Sequence, residues 1–112
     1  MELDFSKNIQ LKSFFPQTEF EEKVISFLED WHSDSTTVSV QTSGSTGVPK
    51  VFEIEKERMQ SSAKMTCDFL GLKEGDSALV CLPVEYISGK MMIVRSVVRK
   101  LKLTIESPSS TP

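Results

Sequence analysis

The stretch that most limits the possible folds is ALVCLP, residues 78–83, taken together with the residues from Ile87 to Glu106. A short continuous apolar run is the pattern of a strand covered on both faces, and Pro83 stops it. Ile87, Met91, Val94, Val98 and Leu101 then recur at the spacing of a helix, and LTIE (103–106) reads as a closing strand. A strand, one helix and a second strand make a crossover, so the two strands are expected to lie parallel. That unit places the chain in the α/β class.

Upstream, Thr18 and Glu21 form a T-x-x-E capping box. Behind it Phe20, Val24, Phe27, Leu28 and Trp31 recur at helical spacing, which predicts an amphipathic helix over 19–32, ended by HSDS. TTVSVQ alternates and is β-branched, so 36–42 reads as a strand, and KVFEIE gives a second one from Val51 to Ile54. The short connection between them predicts a hairpin. Helical period returns over 56–70 through Met59, Ala63, Cys67 and Leu70, with Gly71 as its stop. GLKEGDS is a turn cluster, residues 1–17 are weakly patterned, and SPSSTP reads as a loop or tail. There is no internal repeat.

Charge and composition narrow the function. The chain has 112 residues, 38% of them hydrophobic, enough for one small cored domain or part of a larger one. A net charge of −3 lacks the basic excess of a nucleic-acid binder. No apolar run approaches the about 18 residues of a membrane helix, and MELDFSKNIQLKSFF lacks the basic and apolar blocks of a secretory signal. Cys67 and Cys81 match no metal or redox spacing, so both are expected to be buried and reduced. These features favour the cytoplasm and predict neither a nucleic-acid nor a membrane partner.

Chemistry concentrates in QTSGSTGVPK, residues 41–50. Gly44 and Gly47 let the backbone approach a ligand closely. Ser43, Ser45 and Thr46 carry hydroxyls, successive backbone N–H groups in such a loop can form a concave anion site, and Lys50 adds a positive charge at its end. These parts suit a polyphosphate. They also suit an ordinary surface turn, where Gly and Ser are common for local reasons. The spacing is neither G-x-x-x-x-G-K-S/T nor G-x-G-x-x-G, and no metal-ligand cluster stands out.

TSGSTGVPK closely resembles the phosphate-binding signature of the adenylate-forming (AMP-binding) superfamily of acyl-CoA synthetases, peptide-synthetase adenylation domains and luciferases. LPVEYISGKMMIVRSVV, from Leu82, resembles the next shared segment, in which a strand ends in Leu-Pro and an aromatic or His lies three residues before a Gly; Tyr86 and Gly89 fill those places. Within the superfamily, YISGKMMIVRSVV with IESPSSTP is most similar to the o-succinylbenzoate–CoA ligases of menaquinone biosynthesis. The resemblance covers residues from about 36 to 112. It implies part of the large N-terminal domain of the superfamily, a mixed sheet flanked by helices, with residues 1–35 as an N-terminal arm and helix and 36–112 as a partial AMP-binding domain.

The resemblance further implies that Thr42, Ser43, Gly44, Ser45, Thr46, Gly47 and Lys50 hold ATP phosphates, and that Tyr86, Ser88 and Gly89 belong to the acyl-substrate pocket. The implied partners are ATP, Mg²⁺, CoA and an aromatic or other carboxylic acid. Two departures stand out. Val51 follows the Pro-Lys pair where relatives commonly have Gly, and EIEKER stands where they often carry a His. The segments that bind adenine, ribose and magnesium, and the one with a catalytic Lys, are missing, so the chain reads as an inactive N-terminal fragment with no complete catalytic set.

A second reading is a non-catalytic α/β module whose Gly-Ser loop binds an anion or a protein partner. His32 reads as a solvated helix-end residue, Arg95, Arg99 and Lys102 as one basic helix face, and Met59, Met65, Met91 and Met92 as core filling. The strand at 78–82 and the helix from Ile87 are apolar on more than one face, so the isolated chain is expected to self-associate.

Overall fold

The computed structural model describes residues 1–41 and 50–106. Along the chain run β1 (Glu2–Asp4), a single 3₁₀ turn (Leu11–Ser13), α1 (Glu19–Trp31), β2 (Thr37–Gln41), β3 (Val51–Glu55), α2 (Lys56–Leu70), β4 (Ser77–Val80), α3 (Ile87–Arg99) and β5 (Lys102–Ile105). β4 and β5 are parallel, with Ala78 opposite Leu103, and α3 is the crossover between them. β1 lies antiparallel on the other side of β5, which makes a mixed sheet in the order β1-β5-β4. β2 and β3 form a separate antiparallel hairpin. A parallel bridge between Gln41 and Tyr86 joins it to the segment before α3. The α/β class and the mixed sheet flanked by helices are therefore as expected.

Local chemistry accounts for α1. The Thr18 hydroxyl accepts the Glu21 N–H at 3.1 Å, a cap that contributes about 1 kcal/mol. The reciprocal bond is displaced by one residue: the Glu21 carboxylate accepts from the Gln17 N–H at 2.8 Å rather than from Thr18. That bond holds the Glu21 carboxyl below its ordinary pKa. The predicted face, Phe20, Val24, Phe27, Leu28 and Trp31, is buried, and it shares one core with Leu3, Ile93, Val94 and Leu103. At the far end His32 is exposed, and its Nδ1 donates to the Leu28 carbonyl at 2.8 Å. The Lys56 ammonium reaches the carbonyls of Asp30, at 2.7 Å, and Ser33, at 3.1 Å. A cation on the terminal carbonyls of a helix is favourable, and this one ties the start of α2 to the end of α1.

Several expectations need correction. β4 ends at Val80, and within the described residues only one of its faces is covered: Val80 is buried, whereas Leu79 is 46% exposed. Cys67 is buried in α2 but Cys81 is exposed. Met65 is an exposed residue rather than core filling. Leu101 lies beyond α3, although it is buried. Arg95, Arg99 and Lys102 do not form one helix face, because Lys102 belongs to β5 and Arg99 pairs with Asp68 of α2 at 2.5 Å. β1 has no counterpart among the expected strands; it is three residues long, with only Leu3 buried.

Candidate functional site

The phosphate-loop residues Thr42, Ser43, Gly44, Ser45, Thr46 and Gly47 lie outside the described residues. Gln41 is the last residue of β2, Lys50 is exposed just before β3, and Gln41 stands opposite Val51 in the ladder. The hairpin therefore brings both ends of the segment together, as the alternating strands require.

The second predicted cluster sits where β2 ends. Gln41 donates its N–H to the Glu85 carbonyl at 3.0 Å, and next to that bond Gln41 bridges Tyr86. Tyr86 is the residue before the first turn of α3, with an extended backbone and a half-buried side chain. Its N–H donates to the Pro83 carbonyl at 3.3 Å, and its carbonyl accepts from the Lys90 N–H at 3.2 Å. Ser88 is exposed on the first turn of α3. Gly89 is buried there, and a Cβ on it would stand 2.4 Å from the Pro83 carbonyl oxygen and 3.0 Å from that of Leu82. The absence of a side chain at 89 is what lets the helix start lie against the Leu82–Pro83 backbone.

One residue of this region escaped the sequence reading. Lys90 is only 8% exposed. Its ammonium donates to the Val84 carbonyl at 2.5 Å and lies 5.0 Å from the centre of the Phe27 ring of α1. Burial pushes its pKa down, opposed by the negative charges of Glu85 and Asp30. A pattern signal existed: Lys90 precedes Val94 by four residues and Val97 by seven, so it occupies a place on the apolar stripe. Beside it, Lys23 of α1 pairs with Glu85 at 3.2 Å, and that hydrogen bond raises the Lys23 pKa.

A cleft of about 400 Å³ opens between α1, the hairpin and this turn. Its walls include Phe27, Asp30, Thr37, Val84, Glu85 and Lys90, and leave out Tyr86, Ser88 and Gly89. Acidic and basic groups both face it, so it has no single-sign character. Among the described residues no group of three or more His, Cys, Asp or Glu side chains could hold a metal ion, and no helix is long and apolar enough to cross a membrane.

No family model matches the chain. Its fold does match that of an acyl-CoA synthetase (AMP-forming)/AMP-acid ligase II-like protein from Dyadobacter fermentans, with a TM-score of 0.81 and 36% identity over 88% of this chain and 29% of that one. The chain is thus related, in sequence and in fold, to the AMP-forming acyl-CoA synthetases. Within that class it is similar to 2-succinylbenzoate–CoA ligases. That of Listeria monocytogenes is 34% identical over 80% of this chain and 19% of its own length, and that of a Geobacillus species 30% identical over 88% and 20%. The o-succinylbenzoate CoA synthetase of Bacillus subtilis, solved with a product analogue, has a TM-score of 0.57 and 31% identity over 69% of this chain and 16% of that one. The resemblance read from the sequence is borne out, and the chain spans about a fifth of the length of the curated relatives it matches.

Proposed function

We propose that this chain is the phosphate-gripping and acyl-gating portion of a cytoplasmic ATP-dependent acid–CoA ligase that acts on 2-succinylbenzoate in menaquinone biosynthesis. In such a ligase the acid's carboxylate attacks the α-phosphate of ATP and expels pyrophosphate, and the CoA thiolate then displaces AMP to leave a thioester. A carboxylate is a poor acylating agent, and adenylation supplies the leaving group. The loop from Thr42 to Gly47 would cradle the β- and γ-phosphates, with Lys50 offsetting the charge that builds on pyrophosphate. Mg²⁺ bound with the nucleotide would share that charge, and no residue of this chain is assigned as its ligand. Tyr86, Ser88 and Gly89 would border the acid, and residues 36–112 would form the part of the AMP-binding domain that carries both groups, preceded by the arm and helix of 1–35.

The observation that carries this reading is the Gln41–Tyr86 bridge. It sets the strand that leads into the loop directly beside the turn that carries Tyr86, so a nucleotide phosphate and an acid carboxylate could be held next to each other. Nothing comparable favours a non-catalytic module. The test is a screen of carboxylic acids for ATP-dependent pyrophosphate release by the full-length ligase. Release with 2-succinylbenzoate, and a rise in KM for the acid but not for ATP in Tyr86→Ala, is the expected result. Equal losses for both substrates would place Tyr86 in the core instead, and no acid-dependent release would overturn the ligase reading. The 112-residue chain alone should form no thioester. It should self-associate through Met65 and Phe69 of α2, which are 72% and 89% exposed, and through the edge of β4 that no other described strand pairs with. A concentration-independent monomer in sedimentation would count against that last point.

A further inference from the structure

α1 presents Lys23, Phe27 and Asp30, spaced as one helix face, to the turn between β4 and α3. Lys23 pairs with the Glu85 carboxylate, and Phe27 lies under the Lys90 ammonium. That ammonium belongs to the first turn of α3 and reaches back to the Val84 carbonyl. Val84 is 2% exposed, so its carbonyl has little access to water. A methionine at 90 would fill similar space yet leave that oxygen without this donor, and orphaning a buried acceptor is costly. A lysine held inside by one carbonyl and an aromatic face is a costly choice for mere packing.

We infer that Lys90 is a positioning residue: its buried ammonium, seated on Phe27 of α1, ties the first turn of α3 to the Val84 carbonyl and so fixes the turn that sets Tyr86 beside the end of β2. The mechanical link is short. Val84 is followed by Glu85, whose carbonyl takes the Gln41 N–H, and by Tyr86, which bridges Gln41. Loosening Val84 therefore loosens the junction between the hairpin and α3. The consequence for catalysis rests on the reading of Tyr86 as part of the acyl pocket; the structural consequence does not. α1, in the segment 1–35, thereby gains a role in shaping that turn.

The test compares Lys90→Met with the parent sequence in the 112-residue chain by amide hydrogen exchange and by the NMR signals of the Tyr86 ring. Exchange at the Gln41 amide should quicken roughly tenfold and the Tyr86 ring signals should move, with the β4–β5 ladder unchanged, because local openings are separable from global unfolding. Unchanged Gln41 exchange and unmoved Tyr86 signals in a folded variant would overturn the inference. So would uniformly faster exchange throughout the chain. Should Lys90→Met fail to fold, Phe27→Leu, which keeps the apolar contact and removes the ring, decides by the same two signals. In the full-length ligase the matching readout is a several-fold rise in KM for the acid at constant KM for ATP. Local loosening without that rise would leave the positioning role standing and overturn the acyl-pocket reading of Tyr86.

Discussion

Gly89→Ala tests the packing of the α3 start most directly. In most helices this exchange stabilises, because Ala is favoured over Gly by about 1 kcal/mol at an interior position, and less in a first turn. Here the added methyl would meet the Pro83 carbonyl oxygen at 2.4 Å, the Pro83 carbonyl carbon at 2.9 Å and the Leu82 carbonyl oxygen at 3.0 Å. All three are backbone atoms. None can swing aside as a side-chain end can, so either α3 or the Leu82–Pro83 backbone must move. Inserting a methyl into a well-packed site costs about 1–3 kcal/mol. The geometry points to the upper part of that range, because the backbone that must move also carries the bonds from Tyr86 and Lys90.

Net of the helix preference, Gly89→Ala should destabilise by about 2 kcal/mol, which for a domain of this size lowers Tm by about 8 °C. Thermal unfolding followed by circular dichroism reads it out. Ser88→Ala is the matched control: it is the preceding residue, it is exposed, and its Tm should move by no more than about 2 °C. A Gly89→Ala chain as stable as the parent, or more so, would refute the close-approach argument and leave only the helix preference at work.

Two further predictions concern Lys90, in the first turn of α3, and Lys100, at its C-terminal end. Lys100, just past α3, is the one non-glycine at positive φ among the described residues, at 56°, and Lys100→Gly should raise Tm by about 2 °C by relieving the left-handed backbone, partly offset by glycine's greater freedom when unfolded; a lowered Tm would show that the lysine side chain matters more than the backbone. Burial lowers the pKa of Lys90, so between its folded value and its ordinary 10.5 the unfolded chain binds more protons, and stability from this group must rise with pH across that window and be flat below it. Relative to Lys90→Met, the urea midpoint of the parent chain, followed up to pH 10.5, should rise across that window and not below it, and parallel profiles throughout would count against an ammonium held in the interior.

How far the fold could be read from residues is clearest in the two helix ends. After α2 the N–H of Gly71 bonds to the Asp68 carbonyl and that of Leu72 to the Cys67 carbonyl. After α3 the N–H of Lys100 bonds to Val97 and that of Leu101 to Ser96. Both are the same left-handed termination, in which a residue at positive φ is followed by an apolar one. Gly71 announces it in the sequence. Lys100 does not, so the apolar period runs on to Leu101, and the helix reads two residues too long. β1 was illegible for a different reason. Three residues are too few to show an alternation, and the strand exists because β5 offers a free edge for it to pair with.

The site divides along the same line. Thr42 to Gly47 lie outside the described residues, the reading of Tyr86 rests on its resemblance to a long signature, and Gly89 was legible as a position though not as a close approach. What local patterns could not display is the support behind them. Lys90 stands between Gly89 and Met91 and looks like one more charged residue on an amphipathic helix, and nothing near it in sequence says that the Val84 carbonyl or the Phe27 ring will be its partners. Those contacts join α1, the turn at 82–86 and α3, and the one to Phe27 needs α1 packed against the start of α3. Gly89 is constrained the same way, by backbone that comes six and seven residues earlier and folds back over it. Both residues therefore act on the turn from within the first turn of α3. One excludes a side chain and the other inserts a charge, so two different substitutions that disturb the same turn should both shift the Tyr86 signals, while only the loss of Lys90 removes a titrating group from the interior.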